Sequence, residues 1–444
     1  MFAKINFHDE FYQKLKLLVL PITMQQFMLA LVSATDAIML GAVSQTSLSA
    51  VSLAGQIQFV LNLFISGISA GSGIMAAQYW GKKDAASIEE VMPIALRTNL
   101  IFSGAFTVFA AVAPEVLMRI FTSDPALIES GAVYLRAVSL SYLLCGISQI
   151  YLILLKNTGY ATVSSRISCT AVVVNIICNA ILIYGLLGLP ALGIQGAAYA
   201  TVAARLVELI WSYLETKQSG RVQIIWKKMF RAADAVLTKD FWRYTTPVLG
   251  AALVWGIAYV SYSVIMGHMG SDAVAANSIT TIAKNMLSCL IRGVSGGAGV
   301  LIGNLLGAGE LDKAKVYGGR LTRMAIVVGM TTGGLLMLIS PLIVRFAPLS
   351  ETAAEYLQYM LIFCGCNIMA QSVNTTVLDG IFCAGGDSKF DMKGNLGAMW
   401  CFSVPFGFFA AFVLKWPVMV VYCIVNLDEI VKIPAVYLHY KKYI

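Results

Sequence analysis

Several short patterns in this chain have the residue types and spacing of reactive groups. Gly67-Ile68-Ser69-Ala70-Gly71 and Gly293-Val294-Ser295-Gly296-Gly297 both place a serine between glycines, as a nucleophile elbow does. That chemistry needs the serine on a sharp strand-to-helix turn with a histidine base beside it. Both stretches instead lie inside long apolar runs, and the three histidines, His8, His268 and His439, fall near the ends of such runs. The two matches are 226 positions apart, so a single structural cause accounts for both. Gly296-Gly297-Ala298-Gly299 with Gly303 is glycine-rich enough for a phosphate cradle, but no Gly-Lys-Ser/Thr follows and no strand precedes it. The nine cysteines lie in or beside apolar runs, and Cys364-Gly365-Cys366 has neither zinc nor redox spacing. They read as small buried hydrophobes. The chain reads as no enzyme, with no cofactor and no resident metal.

Polar groups inside the apolar runs are more informative. Asp36 lies in the first run, fifteen residues after Pro21, between Leu29-Ala30-Leu31 and Ile38-Met39-Leu40. A carboxylate there is costly, and such residues face a cavity and serve a proton or ion path. The plainer reading is a protonated acid making one interhelical hydrogen bond. Asn175 and Asn179 are four apart and share a helix face. Their amide oxygens suit a hard cation such as Na⁺, and equally suit helix–helix adhesion. Thr201 can add a hydroxyl oxygen. Farther along, Asp379 lies late in its run, where water or Lys389 can cap it. Asp428 and Lys432 form an i,i+4 pair beside Glu429, which reads as a structural ion pair. Lys284 and Arg292 have no partner in their own helix and can meet either an anionic group or an acid elsewhere.

The elements that position these groups follow from composition. Of 444 residues, 58% are hydrophobic and 12% charged, with a mean hydropathy of +0.77. A soluble domain is about 25% charged. Twelve stretches are long enough to cross hydrocarbon as helices: roughly 16–41, 48–77, 91–113, 131–155, 163–189, 191–214, 244–268, 273–306, 321–347, 353–382, 394–414 and 417–438. The fold class is therefore an all-α integral membrane protein. No cleavable signal peptide is read at the N-terminus, because the run opening at Pro21 is too long for a signal core.

The chain is also written twice. Pro21 and Pro247, Gly41 and Gly267, Gly73 and Gly299, and Gly81 and Gly307 all differ by 226. Six runs fall in each copy, giving two lobes (1–214 and 244–444) joined by a polar linker, 215–243. An even number of spans per copy gives both the same orientation, and duplication of this kind points to a transporter. Of the 31 Lys and Arg, only Arg119, Arg136, Arg345 and Lys415 fall on the outer side when the N-terminus is cytoplasmic. Arg205, Lys284, Arg292 and Lys432 lie within spans. The others fall in or beside cytoplasmic segments, among them Lys217, Arg221, Lys227, Lys228, Arg231, Lys239 and Arg243 of the linker. The positive-inside rule thus sets both termini in the cytoplasm of a multi-pass inner-membrane protein. The net charge of +8 reports topology rather than nucleic-acid binding.

Certain pieces of this sequence resemble the multidrug and toxic compound extrusion (MATE) family over essentially the whole chain. They are Pro21 with Asp36-Ala37-Ile38-Met39-Leu40-Gly41, Ala76-Ala77-Gln78-Tyr79-Trp80-Gly81, Leu189-Pro190-Ala191-Leu192-Gly193-Ile194-Gln195-Gly196-Ala197-Ala198 with Ala200-Thr201, and Ala384-Gly385-Gly386-Asp387-Ser388-Lys389-Phe390. The resemblance implies two six-helix lobes in a V around a central cavity. It also implies a monomer in the bilayer that exports cationic or amphipathic drugs in exchange for H⁺ or Na⁺. Members with a cation site in the first lobe use an acid on helix one with polar residues on helices five and six. The matching positions are Asp36, Asn175, Asn179 and Thr201. The second lobe departs from the family: residues 249–256 hold no carboxylate, the tenth-helix acid falls at Ser372, and a usual arginine is Cys383. Asp379, Arg292 and Lys284 remain as secondary positions. A flippase of lipid-linked saccharides in the same superfamily is the alternative, disfavoured by twelve spans and few intramembrane arginines.

Overall fold

The apolar runs are helical in the computed structural model, which describes residues 9–230, 234–347 and 349–442, apart from the side chains of Ser33, Ala34, Ala37, Gly41 and Gln45. His8 and Arg231 lie outside the described residues. The first half contains α1 (Glu10–Val43), α2 (Gln45–Gly81), α3 (Ala85–Val112), the short α4 (Pro114–Arg119), α5 (Pro125–Asn157), α6 (Ala161–Tyr184) and α7 (Ile194–Thr216). The linker contributes the single turn α8 (Trp226–Met229). The second half contains α9 (Ala235–Gly267), α10 (Ser271–Gly307), α11 (Leu311–Phe346) and α12 (Glu351–Thr375). It continues with α13 (Ser388–Asn395), α14 (Val404–Phe408), α15 (Val418–Val425) and α16 (Asp428–Tyr440). A π-helical segment, Thr376–Phe382, prolongs α12, and two more, Leu396–Ser403 and Phe409–Val413, join and prolong α13 and α14.

Local sequence explains where these helices begin. Ser44, Asp84, Asp124 and Ser350 each accept a hydrogen bond from a backbone N–H of the first turn they cap. Pro125 stands in the first turn of α5, where its missing N–H costs nothing. Asp84 sits outside the spans, and hydrogen bonds from Ser87 hold its carboxyl below the ordinary aspartate range.

Ten helices among the described residues are long and apolar enough to cross a membrane. The two remaining spans are present with interruptions. Helix α7 has the length but contains Arg205 and Glu208. The last span is divided into α15 and α16 by Asn426 and Leu427. The result is the twelve-helix, all-α layout expected from the sequence.

The chain divides into two compact units. One holds the chain up to Gln26 together with Gly250 onward; the other is Phe27–Leu249. Both divisions fall inside a helix, α1 and α9, shortly after Pro21 and Pro247. The serine-flanking glycines explain how each unit receives a foreign helix segment. In the second unit, a Cβ on Gly67 would stand 2.7 Å from Leu249 Cα, and one on Gly71 would stand 2.6 Å from Thr245 Cα. In the first, a Cβ on Gly293 would overlap Thr23 Oγ1, and one on Gly297 would stand 2.9 Å from Val19 Cγ2. Shifted by 226, Gly67 and Gly71 become Gly293 and Gly297, and Val19 and Thr23 become Thr245 and Leu249. The two contacts are therefore the same contact made once in each copy. The Gly-x-Ser-x-Gly pattern is a groove for close helix packing, which small residues permit.

Candidate functional site

Asp36, Asn175, Asn179 and Thr201 come from α1, α6 and α7, and all lie in the Phe27–Leu249 unit. The tight connection from α6 to α7 brings their helices together. Gly185 ends α6 with φ 71° and ψ 40°, a left-handed conformation that suits glycine. A Cβ there would also stand 2.6 Å from Ala191 N. The chain then turns back so that Leu192 N donates to Leu182 O at 2.9 Å. Gly196 packs against the same carbonyl, with room for no side chain: a Cβ would meet Leu182 O at 2.6 Å. The Leu-Pro-Ala-Leu-Gly-Ile-Gln-Gly stretch is thus the device that sets α7 beside α6. Tyr184 OH donates to Met39 O at 3.1 Å and ties the end of α6 to α1.

The four side chains form one hydrogen-bonded chain. Asn179 Nδ2 donates to Asp36 Oδ1 at 2.6 Å and to Asn175 Oδ1 at 3.0 Å. Asn175 Nδ2 reaches Thr201 Oγ1 at 3.4 Å, and Thr201 Oγ1 donates to Ala197 O at 3.0 Å. Asn179 is 0% exposed and Asn175 5%, so the amides are shielded while Asp36 is half-buried. Among the described residues no cation pairs with Asp36, and the buried Asn179 Oδ1 has no hydrogen-bond partner. The Asp36 carboxylate, the orphan Asn179 Oδ1 and the Thr201 hydroxyl are the oxygens this cluster offers. Such a set takes a proton at Asp36 or a hard monovalent cation between the oxygens. Tyr134 on α5, buried and within electrostatic reach of Asp36, is a further neighbour that sequence reasoning missed.

A second polar knot in this unit was also missed. Glu208 on α7 is 2% exposed and pairs with Arg205 at 2.9 Å. Its other oxygen accepts from Ser148 of α5 at 2.7 Å. Charge and hydrogen bonding are both satisfied, so this pair fastens α7 to α5 and leaves no group free to react.

The secondary positions belong to the other unit and do not join the Asp36 chain. Asp379 is exposed within the π-helical segment that follows α12, and no hydrogen bond reaches its carboxylate among the described residues. Arg292 of α10 is exposed, and Lys284 of the same helix is half-buried. Lys432 confirms the expected pair with Asp428, at 3.6 Å, but its shorter contact is to Glu429, at 3.0 Å.

Comparison with known proteins bears on the family and the fold. The MatE family model matches residues 21–181 and 247–409. An uncharacterized transporter, YisQ of Bacillus subtilis (strain 168), is 22% identical over 84% of this chain and 82% of its own length. A probable multidrug resistance protein, NorM of Bacillus cereus, is 24% identical over 91% of this chain and 90% of its own. Among solved structures, a MOP superfamily transporter from Pyrococcus furiosus superposes with a TM-score of 0.87 at 18% identity, covering 97% of this chain and 95% of that one. An outward-facing multidrug resistance MATE family transporter gives the same TM-score at 17% identity, with the same coverage.

Proposed function

The chain belongs to the MATE family of multidrug efflux transporters, and from that premise we propose that it is a secondary antiporter that exports cationic and amphipathic organic compounds in exchange for H⁺ or Na⁺. The observation that carries this reading is the hydrogen-bonded chain Asp36–Asn179–Asn175–Thr201, with one acid, one orphan amide oxygen and, among the described residues, no cationic side chain paired with the acid. Loading of this site by a proton or Na⁺ neutralises Asp36 and changes its bond to Asn179, which spans α1 and α6. An ion can drive a conformational step only through such a difference in binding between states. The protein works as a monomer in the inner membrane with both termini cytoplasmic, and the duplicated lobes 1–214 and 244–444 are joined by the 215–243 linker. Drug-resistance and ethidium-efflux assays in a pump-deficient host, with Na⁺ and pH varied independently, test the proposal. Efflux that ignores both gradients rejects it.

A further inference from the structure

An open cavity of about 680 Å³ lies where α4 meets the start of α5, within the Phe27–Leu249 unit. Small-molecule sites have volumes of this order, about 300–1,000 Å³. Local sequence explains its walls. Ala113, at φ −131° and ψ 49°, ends α3, and Pro114 opens the six-residue α4 at once. Asp124 and Pro125 then start α5, with Ala126 N donating to Asp124 Oδ1 at 2.9 Å. Two contacts hold α4 against α5. A Cβ on Gly131 would overlap the buried Met118, and Arg136 Nη2 donates to Glu115 Oε1 at 2.6 Å. Glu115, Arg119, Ser123, Glu129, Val133 and Arg136 are among the residues that line the cavity.

Two independent observations say what this cavity takes. The first is its charge. Two guanidinium groups and two carboxylates line it, so it favours neither a plain anion nor a plain cation. Arg136 and Glu115 are spent on each other. Arg119 and Glu129 are exposed, and neither makes an ion pair among the described residues. A guanidinium fork fits a phosphate, and a carboxylate accepts from a primary ammonium. One unspent group of each kind complements a zwitterion. The second observation is the apolar surface beside it. Val108, Phe109, Val112, Val116 and Ile120 are 59% to 75% exposed. Glu115 and Arg119 are four apart, as are Val116 and Ile120, so this short stretch carries a charged edge and an apolar edge side by side. Such an element lies at the boundary between headgroups and acyl chains. The duplication supplies a contrast. Shifted by 226, Arg119 and Glu129 become Arg345 and Glu355, but Glu115, Arg136 and Val133 become Pro341, Ile362 and Tyr359. The second copy thus lacks the fastening pair and has a large ring in place of Val133.

We propose that the cavity between α4 and α5 binds an aminophospholipid. Arg119 and the Ser123 hydroxyl take its phosphate, Glu129 takes its primary ammonium, and its acyl chains lie along the ridge from Val108 to Ile120. Binding is non-covalent and restrains α4 against α5, beside the contact that Gly131 and Met118 already make. The site shares no residue with the Asp36 chain.

Native mass spectrometry of the full-length protein, stripped of lipid in detergent, tests this without transport. The probes are phosphatidylethanolamine, phosphatidylcholine and phosphatidylglycerol with identical acyl chains. The first should bind severalfold more tightly than the other two, because choline offers no N–H donor and glycerol no positive charge. Glu129→Gln should abolish the preference for ethanolamine over choline while leaving choline-lipid binding in place. Arg119→Gln should weaken phosphatidylethanolamine severalfold. Val133→Tyr, which copies the second lobe, should block the cavity; if it does not fold, Ser123→Ala at its exposed position should still weaken binding. Arg345→Gln, the same charge change in the second copy, should bind as the wild type does. Equal binding of the three lipids, or wild-type binding by Arg119→Gln, overturns the site. Loss of the preference in Arg345→Gln overturns its placement. Displacement of the lipid by an equal concentration of glycerophosphoethanolamine, which has no acyl chains, overturns the lipid as occupant. None of these readings depends on whether Asp36 couples efflux.

Discussion

At the scale of single residues, what distinguishes Asp36 is the company it keeps. Several intramembrane charges among the described residues have an opposite charge in contact: Glu208 has Arg205, and Glu429 and Asp428 share Lys432. Among the described residues the hydrogen bond to Asp36 comes from an amide donor, Asn179 Nδ2 at 2.6 Å, with no ion pair beside it. On the proposed reading, a group whose counter-charge is not built in takes one from solution, and its occupancy follows an ion gradient. Asp36→Asn preserves shape and hydrogen bonding but fixes the site in a permanently neutral form. It should leave folding and some drug binding intact while abolishing gradient-driven efflux. Asn179→Ala and Asn175→Ala remove ligands without removing the charge, so they should weaken ion dependence in steps, the first more than the second. Ethidium efflux from cells at matched expression measures this, and wild-type efflux from Asp36→Asn would sink the assignment.

At the scale of elements, glycine placement governs which helices can touch. Gly67 and Gly71 on α2 and Gly293 and Gly297 on α10 are among the positions where a side chain would run into a neighbouring helix segment. Gly334 on α11, by contrast, has no atom within 4 Å of where its Cβ would be. A valine at Gly293 must displace Thr23, and a valine at Gly67 must displace Leu249. Overpacking of this kind costs about 1–3 kcal/mol. Because the two sites are equivalent by the 226-residue shift, the two substitutions should lower thermal stability by similar amounts, whereas Gly334→Ala should leave it unchanged or raise it slightly. Thermal unfolding in detergent, followed by tryptophan fluorescence, compares the three. Equal stability of all of them would mean that these grooves do not hold the helices within each unit together. The same glycines show why a motif search alone misleads here: their spacing is set by helix contact, and a serine falls between them without chemical consequence.

At the scale of the whole molecule, much of the plan was legible in the sequence because membrane burial leaves few alternatives. Long apolar runs must be helical, and paired prolines and glycines at a constant offset reveal duplication. Asp36, Asn175, Asn179 and Thr201 could be brought together from the sequence only through family resemblance, since periodicity relates Asn175 to Asn179 and nothing else. Glu208 was overlooked because an Arg–Glu pair three apart on one helix cancels its own charge. Asp391 precedes the apolar run at 394, yet the helix there begins at Ser388 and buries it. The packing of a helix segment against the other duplicated half of the sequence is likewise invisible locally, since it needs Val19 and Thr23 to be matched with glycines some 270 residues away. Orientation is the property that the fold leaves to charge alone. Lys82, Lys83, Lys227 and Lys228 mark one side of the membrane, and Arg119, Arg136, Arg345 and Lys415 are too few to contest it. In a background without reactive native cysteines, Lys228→Cys should resist a membrane-impermeant thiol reagent in intact cells and react after permeabilisation, while Lys415→Cys should react in both. Labelling of the first position in intact cells would invert the topology and, with it, the direction in which the Asp36 site is loaded.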